Sequence, residues 1–299
     1  MKITDKLKGI PKVYYCNLDS RPDKQEYMES QFDTWEIDHI RVSSSKYTPK
    51  NYDEWKNLVI LNPEWDYLKD YFPDDYGETR YQRYLVEVCL VITQIETIKN
   101  WLETTNEEYM IIMEDDHDLS MIEHMHFDWE YLMNHIPYDW DVIQFEVTNR
   151  TAIPCFLHPT LDRSWTGPLL INKGYAKKIM RIYYTSDNRI NLNQKISSYN
   201  WTINSDDPGL GPDYVITKNG KGYSLPLIYL NPNLGSYDIN IMRRDHCELL
   251  QHIKDLYHKW WKILKDDYSL EEFFMYGKPN DLLLKVDPKF ASELNYESK

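Results

Sequence analysis

Three consecutive carboxylates, Glu114, Asp115 and Asp116, are the residues of this sequence best suited to chemistry. They directly follow the apolar run 109–113, which is typical of a strand buried on both faces. Ligands of open α/β sheets collect outside the carboxyl ends of strands, and crowded carboxylates there repel one another unless a cation lies between them. Their oxygens suit Mg²⁺ or Mn²⁺, an ion that bridges diphosphate oxygens and offsets the charge of a departing nucleoside diphosphate. The alternative is a solvated acidic turn.

The elements that must position these acids alternate between strands and helices. Residues 12–18 and 39–42 predict strands, and Pro22 suits the first turn of a helix over 22–32 between them. Apolar residues at helical spacing predict a long amphipathic helix over 81–102. The alternation predicts an α/β fold with a mostly parallel central sheet flanked by helices. Further strands are predicted over 140–145, 167–172 and 223–229, and further helices over 123–134, 173–184 and 212–219.

The remaining segments set the predicted domain organisation. Residues 44–80 indicate an insertion with little regular structure, and 146–167 and 186–212 have the composition of loops. An apolar stripe predicts a helix over 244–264 that packs on the domain or a partner. We therefore expect one domain over 1–240 and a helical extension over 241–299.

Composition excludes several classes of protein. The 299 residues contain 34 basic and 48 acidic side chains, a net charge of −14, which argues against binding the phosphate backbone of a nucleic acid. Four cysteines without a C-x-x-C pair indicate free thiols in a reducing compartment. The N-terminus lacks the apolar stretch of a signal peptide, and no apolar run reaches the ~18 residues that a membrane span needs, so a cytoplasmic location is expected. A P-loop is excluded because its motif is absent.

Three sequence blocks occur in a family-specific order. Residues 13–23 read Val-Tyr-Tyr-Cys-Asn-Leu-Asp-Ser-Arg-Pro-Asp, residues 87–94 read Glu-Val-Cys-Leu-Val-Ile-Thr-Gln, and residues 111–116 read Ile-Ile-Met-Glu-Asp-Asp. With weaker matches at 140–143, 167–176 and 211–213, the sequence resembles the family 25 glycosyltransferases, which include lipopolysaccharide-type and collagen galactosyltransferases. It departs from the family where Thr93-Gln94 replaces Ser-His and where Cys89 replaces a small glycine.

The resemblance implies a GT-A-like nucleotide-binding domain, a UDP-sugar donor and a divalent Mn²⁺ or Mg²⁺ ion. Glu114 would lie near the ribose and Asp116 would bind the metal, with Asp115 between them. For Arg21, which would contact the uridine or the diphosphate, the alternative is an exposed arginine at a helix start. The implied donor-binding residues are Asn17, Leu18, Arg21, Glu114 and Asp115, and the implied metal ligands are Asp116, Glu114 and His246.

The catalytic carboxylate implied by the resemblance is Asp213, which would deprotonate the acceptor hydroxyl or anchor the acceptor. A helix N-cap is the competing role for it, and Asp206 and Asp207 are reserve candidates. A surface helix position is the alternative for His246. Arg80 and Arg83 could reach the phosphates, and the alternative for each is a position on a solvated helix face. His117, His124 and His126 are expected at the surface.

The sequence as a whole predicts a metal-dependent glycosyltransferase that moves a sugar from a UDP-sugar to a hydroxyl of a glycan or another acceptor. The alternative is a non-catalytic protein that binds carbohydrate or nucleotide sugar and keeps the fold. A glycoside hydrolase is less well supported, because no second acidic block matches residues 114–116. The donor sugar, the acceptor, the stereochemistry and the oligomeric state stay open.

Overall fold

The computed structural model describes residues 3–61, 80–149, 151–160, 165–193, 212–234, 244–274 and 283–290. The fold is α/β, with a mixed central sheet of seven strands flanked by helices. Two apolar cores lie on opposite sides of this sheet, because neighbouring residues of the central strands point to opposite faces. Tyr14 belongs to one core and Tyr15 to the other, and both are buried.

The strands are mostly short. They are β1 (Val13–Asn17), β2 (His39–Ser43), β3 (Val59–Ile60), β4 (Tyr109–Glu114), β5 (His117–Asp118), β6 (Val142–Gln144), β7 (Val147–Thr148), β8 (Ala152–Pro154), β9 (His158–Pro159), β10 (Trp165–Thr166), β11 (Leu169–Asn172), β12 (Ile190–Asn191), β13 (Gly222–Ser224), β14 (Tyr229–Leu230) and β15 (Leu283–Lys285).

The helices range from one turn to seven. They are α1 (Pro22–Trp35), α2 (Tyr52–Trp55), α3 (Arg80–Thr104), α4 (Trp129–His135), α5 (Lys173–Tyr183), α6 (Pro212–Thr217), α7 (Arg244–Lys262) and α8 (Leu270–Phe273). Short 3-10 helices cover Ile3–Leu7, Pro49–Asn51, Lys56–Leu58, Ser120–His124, Leu264–Asp267 and Pro288–Phe290.

The central sheet has the strand order β2-β1-β4-β11-β6-β13-β9. Strand β1 pairs in parallel with both β2 and β4, and β13 pairs in parallel with β6. Strand β11 is antiparallel to β4 and to β6, and β9 is antiparallel to β13. Five strands are therefore parallel to one another, as predicted: β2, β1, β4, β6 and β13. Strands β11 and β9 are antiparallel to these five.

Most predicted helices lie close to the observed ones, with one clear difference. The helix predicted over 123–134 is instead a 3-10 turn, Ser120–His124, followed by α4. Helix α4 begins after Asp128, whose side chain accepts a hydrogen bond from the Tyr131 N–H and so satisfies one of the helix's first amides. The predicted loop over 146–167 contains β7, β8, β9 and β10, and the predicted insertion over 44–80 contains α2 and β3.

Helix α7 packs on the sheet face that carries the Tyr15 core. Its buried apolar residues belong to that core, and the Tyr257 hydroxyl donates to the Val147 carbonyl at 3.0 Å. Beside it lies a group of rings that we call the aromatic cluster. The aromatic cluster consists of Phe127, Phe156, Trp260, Trp261 and Phe273. The proposed domain division at residue 240 stays a prediction.

Candidate functional site

The acidic residues lie where two neighbouring parallel strands end. Cys16 of β1 is in register with Glu114 of β4, so Asn17 and the acids reach the same edge of the sheet. In open α/β sheets this edge is where ligands bind. The sequence prediction that residues 114–116 follow a buried strand is confirmed, since Met110, Ile111, Ile112 and Met113 are all buried.

A cleft opens at this edge, and we call it the carboxyl-edge cleft. It encloses about 700 Å³, part of it open to solvent. One wall comes from α3 and another from the segment after β2. The lining residues are Cys16, Asn17, Leu18, Arg21, Lys24, Ser44, Tyr47, Thr48, Pro49, Val86, Cys89, Leu90, Thr93, Glu114, Asp115 and Asp116.

Asn17 joins the two strand ends. Its side-chain amide donates to Asp115 Oδ2 at 2.7 Å and to the Arg21 carbonyl at 3.1 Å, and its Oδ1 accepts from Arg41 Nε at 2.8 Å. The side chain is 1% exposed, so these bonds supply the partners that a buried amide needs. Asn17 is therefore fixed in orientation at the floor of the cleft.

Lys24, in the first turn of α1, lies between two of the three acids. Its Nζ is 3.0 Å from Asp115 Oδ1 and 3.1 Å from Asp116 Oδ2, and the side chain is 4% exposed. Burial alone would lower the pKa of Lys24, but the facing carboxylates of Asp116 and Asp115 outweigh it and the pKa lies above its usual value. Lys24 is thus an ammonium ion that compensates the acidic cluster.

The two aspartates differ in how they are held. Burial raises the pKa of Asp115, and Lys24 and Asn17 oppose that rise by binding the ionised carboxylate. Asp116 Oδ2 contacts Lys24, whereas Asp116 Oδ1 is buried without a hydrogen-bond partner among the described residues. Asp116 is thus the acid with an oxygen left for a further donor.

His117 continues the acidic segment and is 1% exposed. The expectation that it lies at the surface is wrong, because the turn after β4 folds the ring under the sheet edge. Burial lowers the pKa of His117, so the ring is neutral at neutral pH. Its Nδ1 lies 3.2 Å from the Glu114 carbonyl oxygen and 3.8 Å from Asp116 Oδ1.

Gly167 extends the polar edge toward β6. A Cβ placed there would lie 2.5 Å from His117 Nε2 and 2.5 Å from the Glu146 Cβ, closer than real contacts allow. Glu146 is 1% exposed and follows β6 at the same edge of the sheet. The absence of a side chain at Gly167 therefore lets these two polar groups approach its backbone.

Arg21 lies at the mouth of the cleft. Its guanidinium binds both carboxylate oxygens of Asp23 and donates to the Leu234 carbonyl at 2.9 Å. Attraction to Asp23 raises the pKa of Arg21 further, so the group is always charged. The arginine is 21% exposed, so it is a partly buried, oriented cation and not a freely solvated one.

The structure brings most of the expected donor-binding residues together and leaves others undescribed. Asn17, Leu18, Arg21, Glu114, Asp115 and Asp116 all line the carboxyl-edge cleft. Asp213 lies in α6 and His246 in α7, but their side chains are outside the described residues, as are those of Arg80 and Arg83 in α3. Asp206 and Asp207 are also outside them. The roles predicted for these residues stay predictions.

The residues that depart from the family pattern lie on the α3 wall. Cys89 and Thr93 line the cleft, and the Thr93 hydroxyl donates to the Cys89 carbonyl at 2.9 Å within the helix. Burial raises the pKa of the Cys89 thiol to about 12, so the group is a neutral apolar surface at neutral pH. All four cysteines are free thiols, as predicted.

Sequence reasoning missed Lys24. The signal was present, because Lys24 shares one helix face with Met28, Phe32 and Trp35, which are all buried. A lysine in line with an apolar stripe needs a buried partner, and the only strongly acidic strand end of the sequence is at 114–116. The spacing therefore indicates that Lys24 is buried, but it does not identify the partner of Lys24.

Within the described ranges, no group of three His, Cys, Asp or Glu side chains is arranged to hold a metal ion. No helix of the same ranges is long and apolar enough to span a membrane. The expected ligands Asp116 and Glu114 stay predictions.

Comparison with known proteins yields matches among solved structures. No family model and no curated protein matches the chain. Among solved structures, A197 from STIV is similar over 74% of this chain and 84% of its own, at 9% sequence identity and a TM-score of 0.36. A similarity at that score carries no argument about function.

Proposed function

We propose that the protein is a glycosyltransferase that binds a UDP-sugar in the carboxyl-edge cleft and transfers the sugar to a hydroxyl of a glycan or another acceptor. The observation that carries the proposal is the convergence of Asn17, Arg21, Lys24 and the acids 114–116 in one cleft at the ends of two parallel strands. The resemblance to family 25 glycosyltransferases, and with it the GT-A-like fold, supports the same assignment.

The charges of the cleft suit a diphosphate. Lys24 has three N–H donors, of which two contact Asp115 and Asp116. The third is left for an oxygen of a ligand in the cleft that Lys24 lines. Arg21 adds a second cation at the mouth. When the bond between sugar and diphosphate breaks, such preplaced charges stabilise the charge that develops on the leaving UDP.

The walls suit a nucleoside and a sugar. The lining includes the aromatic residue Tyr47, the aliphatic residue Leu90 and the hydroxyl-bearing residue Ser44. Small-molecule sites commonly combine a mostly apolar lining with a few oriented polar groups. Asp213 remains the proposed base for the acceptor hydroxyl, with the helix N-cap as its competing role.

UDP binding measured by titration calorimetry tests the assignment of the cleft. Leu90→Trp places a larger ring into the cleft and should abolish binding. Leu102→Trp, the same change on the same helix at a residue that does not line the cleft, is the matched control and should bind like the wild type. Equal UDP binding by both variants, or none by the wild type, would remove the donor site from this cleft.

Turnover separates the two candidate functions. Release of UDP from a panel of UDP-sugars, alone and with glycan acceptors, is the expected result for a transferase. The alternative, a nucleotide-sugar-binding protein without turnover, is favoured by the involvement of both Asp115 and Asp116 in contacts with Lys24. Binding of UDP with no release from any donor would support that alternative.

A further inference from the structure

This inference rests on the proposed donor site and concerns the cation that serves it. The side chain at the centre of the acidic cluster is Lys24, with its ammonium 3.0 Å from Asp115 and 3.1 Å from Asp116. The resemblance implies a divalent metal at these acids. Whether both cations fit is decided by which carboxylate oxygens remain available.

The oxygens of Asp115 are both engaged. Oδ1 contacts Lys24 Nζ, and Oδ2 accepts the Asn17 amide at 2.7 Å. Asp116 Oδ2 contacts the same ammonium, which leaves Asp116 Oδ1 with no hydrogen-bond partner among the described residues. A single aspartate oxygen a few ångströms from a fixed ammonium is a poor divalent site, because the two cations repel each other across a partly buried space.

The ammonium also matches the surrounding charge. Lys24 is almost fully buried in the first turn of α1. Its side chain is therefore held in place and does not move like a flexible lysine on the surface. Lys24 lines the cleft, and its ammonium has three N–H groups for the two contacts with Asp115 and Asp116. A lysine in this position can stabilise the negative charge of a phosphate as a metal ion does, because its ammonium is a compact positive charge with N–H donors.

We propose that Lys24 is the built-in cation of this donor site and contacts the diphosphate in place of a divalent metal ion. The metal implied by the resemblance does not fit Asp115 and Asp116 as they are arranged. UDP then binds without Mn²⁺ or Mg²⁺, and removal of Lys24 exposes Asp115 and Asp116 to a metal.

Calorimetry of UDP with excess EDTA and with excess Mn²⁺ is the main test. The wild type should bind UDP within about twofold in the two buffers, well under the tenfold that 1.4 kcal/mol represents. Lys24→Met should bind UDP about 10- to 100-fold more weakly in EDTA, the usual effect of losing a charged hydrogen bond. Lys24→Arg keeps the charge and should restore part of the affinity.

Asp116→Asn protects the test against a folding defect, because it leaves the pair of Lys24 and Asp115 intact. In a metal-dependent site this variant loses the effect of Mn²⁺ on UDP affinity, whereas in the lysine site the affinities in EDTA and in Mn²⁺ stay within about twofold of each other, as in the wild type. Mn²⁺ alone, followed by its paramagnetic resonance signal, should stay unbound by the wild type and become bound by Lys24→Met.

The outcomes separate the two proposals. UDP binding by the wild type that requires Mn²⁺, or Mn²⁺ bound by the wild type and released by Asp116→Asn, overturns the role of Lys24 and leaves the donor site standing. No UDP binding in either buffer overturns the donor site itself and the role of Lys24 with it. Metal-independent UDP binding that Lys24→Met weakens supports both.

Discussion

The carboxyl-edge cleft, which is lined by Cys16, Tyr47 and Cys89 of the Tyr14 core, and the aromatic cluster, which belongs to the Tyr15 core, are stabilised in opposite ways. In the cleft, Asn17, Lys24 and Asp115 are buried polar groups whose burial is offset only by specific partners. In the aromatic cluster, Trp261 and Phe273 are fully buried with ring centroids 5.6 Å apart, and their stability comes from apolar area and shape.

This difference teaches how each region responds to change. Apolar packing has no required partner, so a loss there scales with the volume removed. Polar pairing is specific, so removal of one partner leaves the other buried and charged. The cleft therefore has the features of a site kept for ligand binding, at a cost in stability that the aromatic cluster helps to offset.

Removal of the central ring of the aromatic cluster has the largest expected effect. Trp261→Ala deletes a fully buried indole and its hydrogen bond to the Pro226 carbonyl at 2.6 Å. We expect the free energy of unfolding to fall by about 3–5 kcal/mol. Urea unfolding followed by circular dichroism measures it. Ile263→Ala, two residues on and 64% exposed, is the control and should change little; similar losses for the two would contradict the role of apolar burial.

Removal of the buried ammonium tests the polar region. Lys24→Met leaves Asp115 and Asp116 as neighbouring buried acids, and we expect a loss of about 3 kcal/mol in the free energy of unfolding at neutral pH. The matched control is Lys56→Met, whose ion pair with Asp53 is exposed and should contribute little to stability. Equal effects in the two variants, again by urea unfolding, would show that burial of the pair has no energetic consequence.

A smaller effect is expected where the cleft region is tightly packed. Gly167→Ala inserts a Cβ 2.5 Å from His117 Nε2 and from the Glu146 Cβ, and we expect a loss of about 1–3 kcal/mol from the resulting overpacking. The thermal midpoint measures it. Gly174→Ala, in the first turn of α5, replaces glycine by a better helix former and should stay within about 1 kcal/mol of the wild type. An unchanged midpoint for Gly167→Ala would show that the edge is loosely packed.

The smallest predicted effect is a pH dependence at the rim of the aromatic cluster. His126 packs edge-on against Phe273 at 4.3 Å, and burial lowers its pKa below the usual 6.5. Because the unfolded chain binds the proton more readily, the stabilisation is present above pH 6.5 and is lost as the pH falls below it.

Unfolding free energies at pH 7.5 and pH 5.5 measure this effect. Other histidines with lowered pKa values, His117 and His258 among them, act in the same direction, so only the difference between wild type and His126→Phe isolates His126. The variant should lose less stability on acidification. An equal loss would place the dependence on the other histidines.

Local features of the fold were predictable because they depend on neighbours in sequence. The apolar run before Glu114 predicted a buried strand, and β4 is that strand. The helical spacing over 81–102 predicted α3, which covers Arg80–Thr104. A difference is the start of α4, which follows the N-cap Asp128 and does not lie at residue 123.

The candidate site was predictable only in part. The sequence alone placed the acids 114–116 at a strand end, because an apolar run stops there, and the family resemblance added Asn17 and Arg21. The tertiary structure alone decided that Lys24, 91 residues before Asp115, supplies the buried charge between the acids, and that β11 runs against its neighbours. Periodicity records which face of an element is buried, whereas the partner across the core depends on the path of the whole chain.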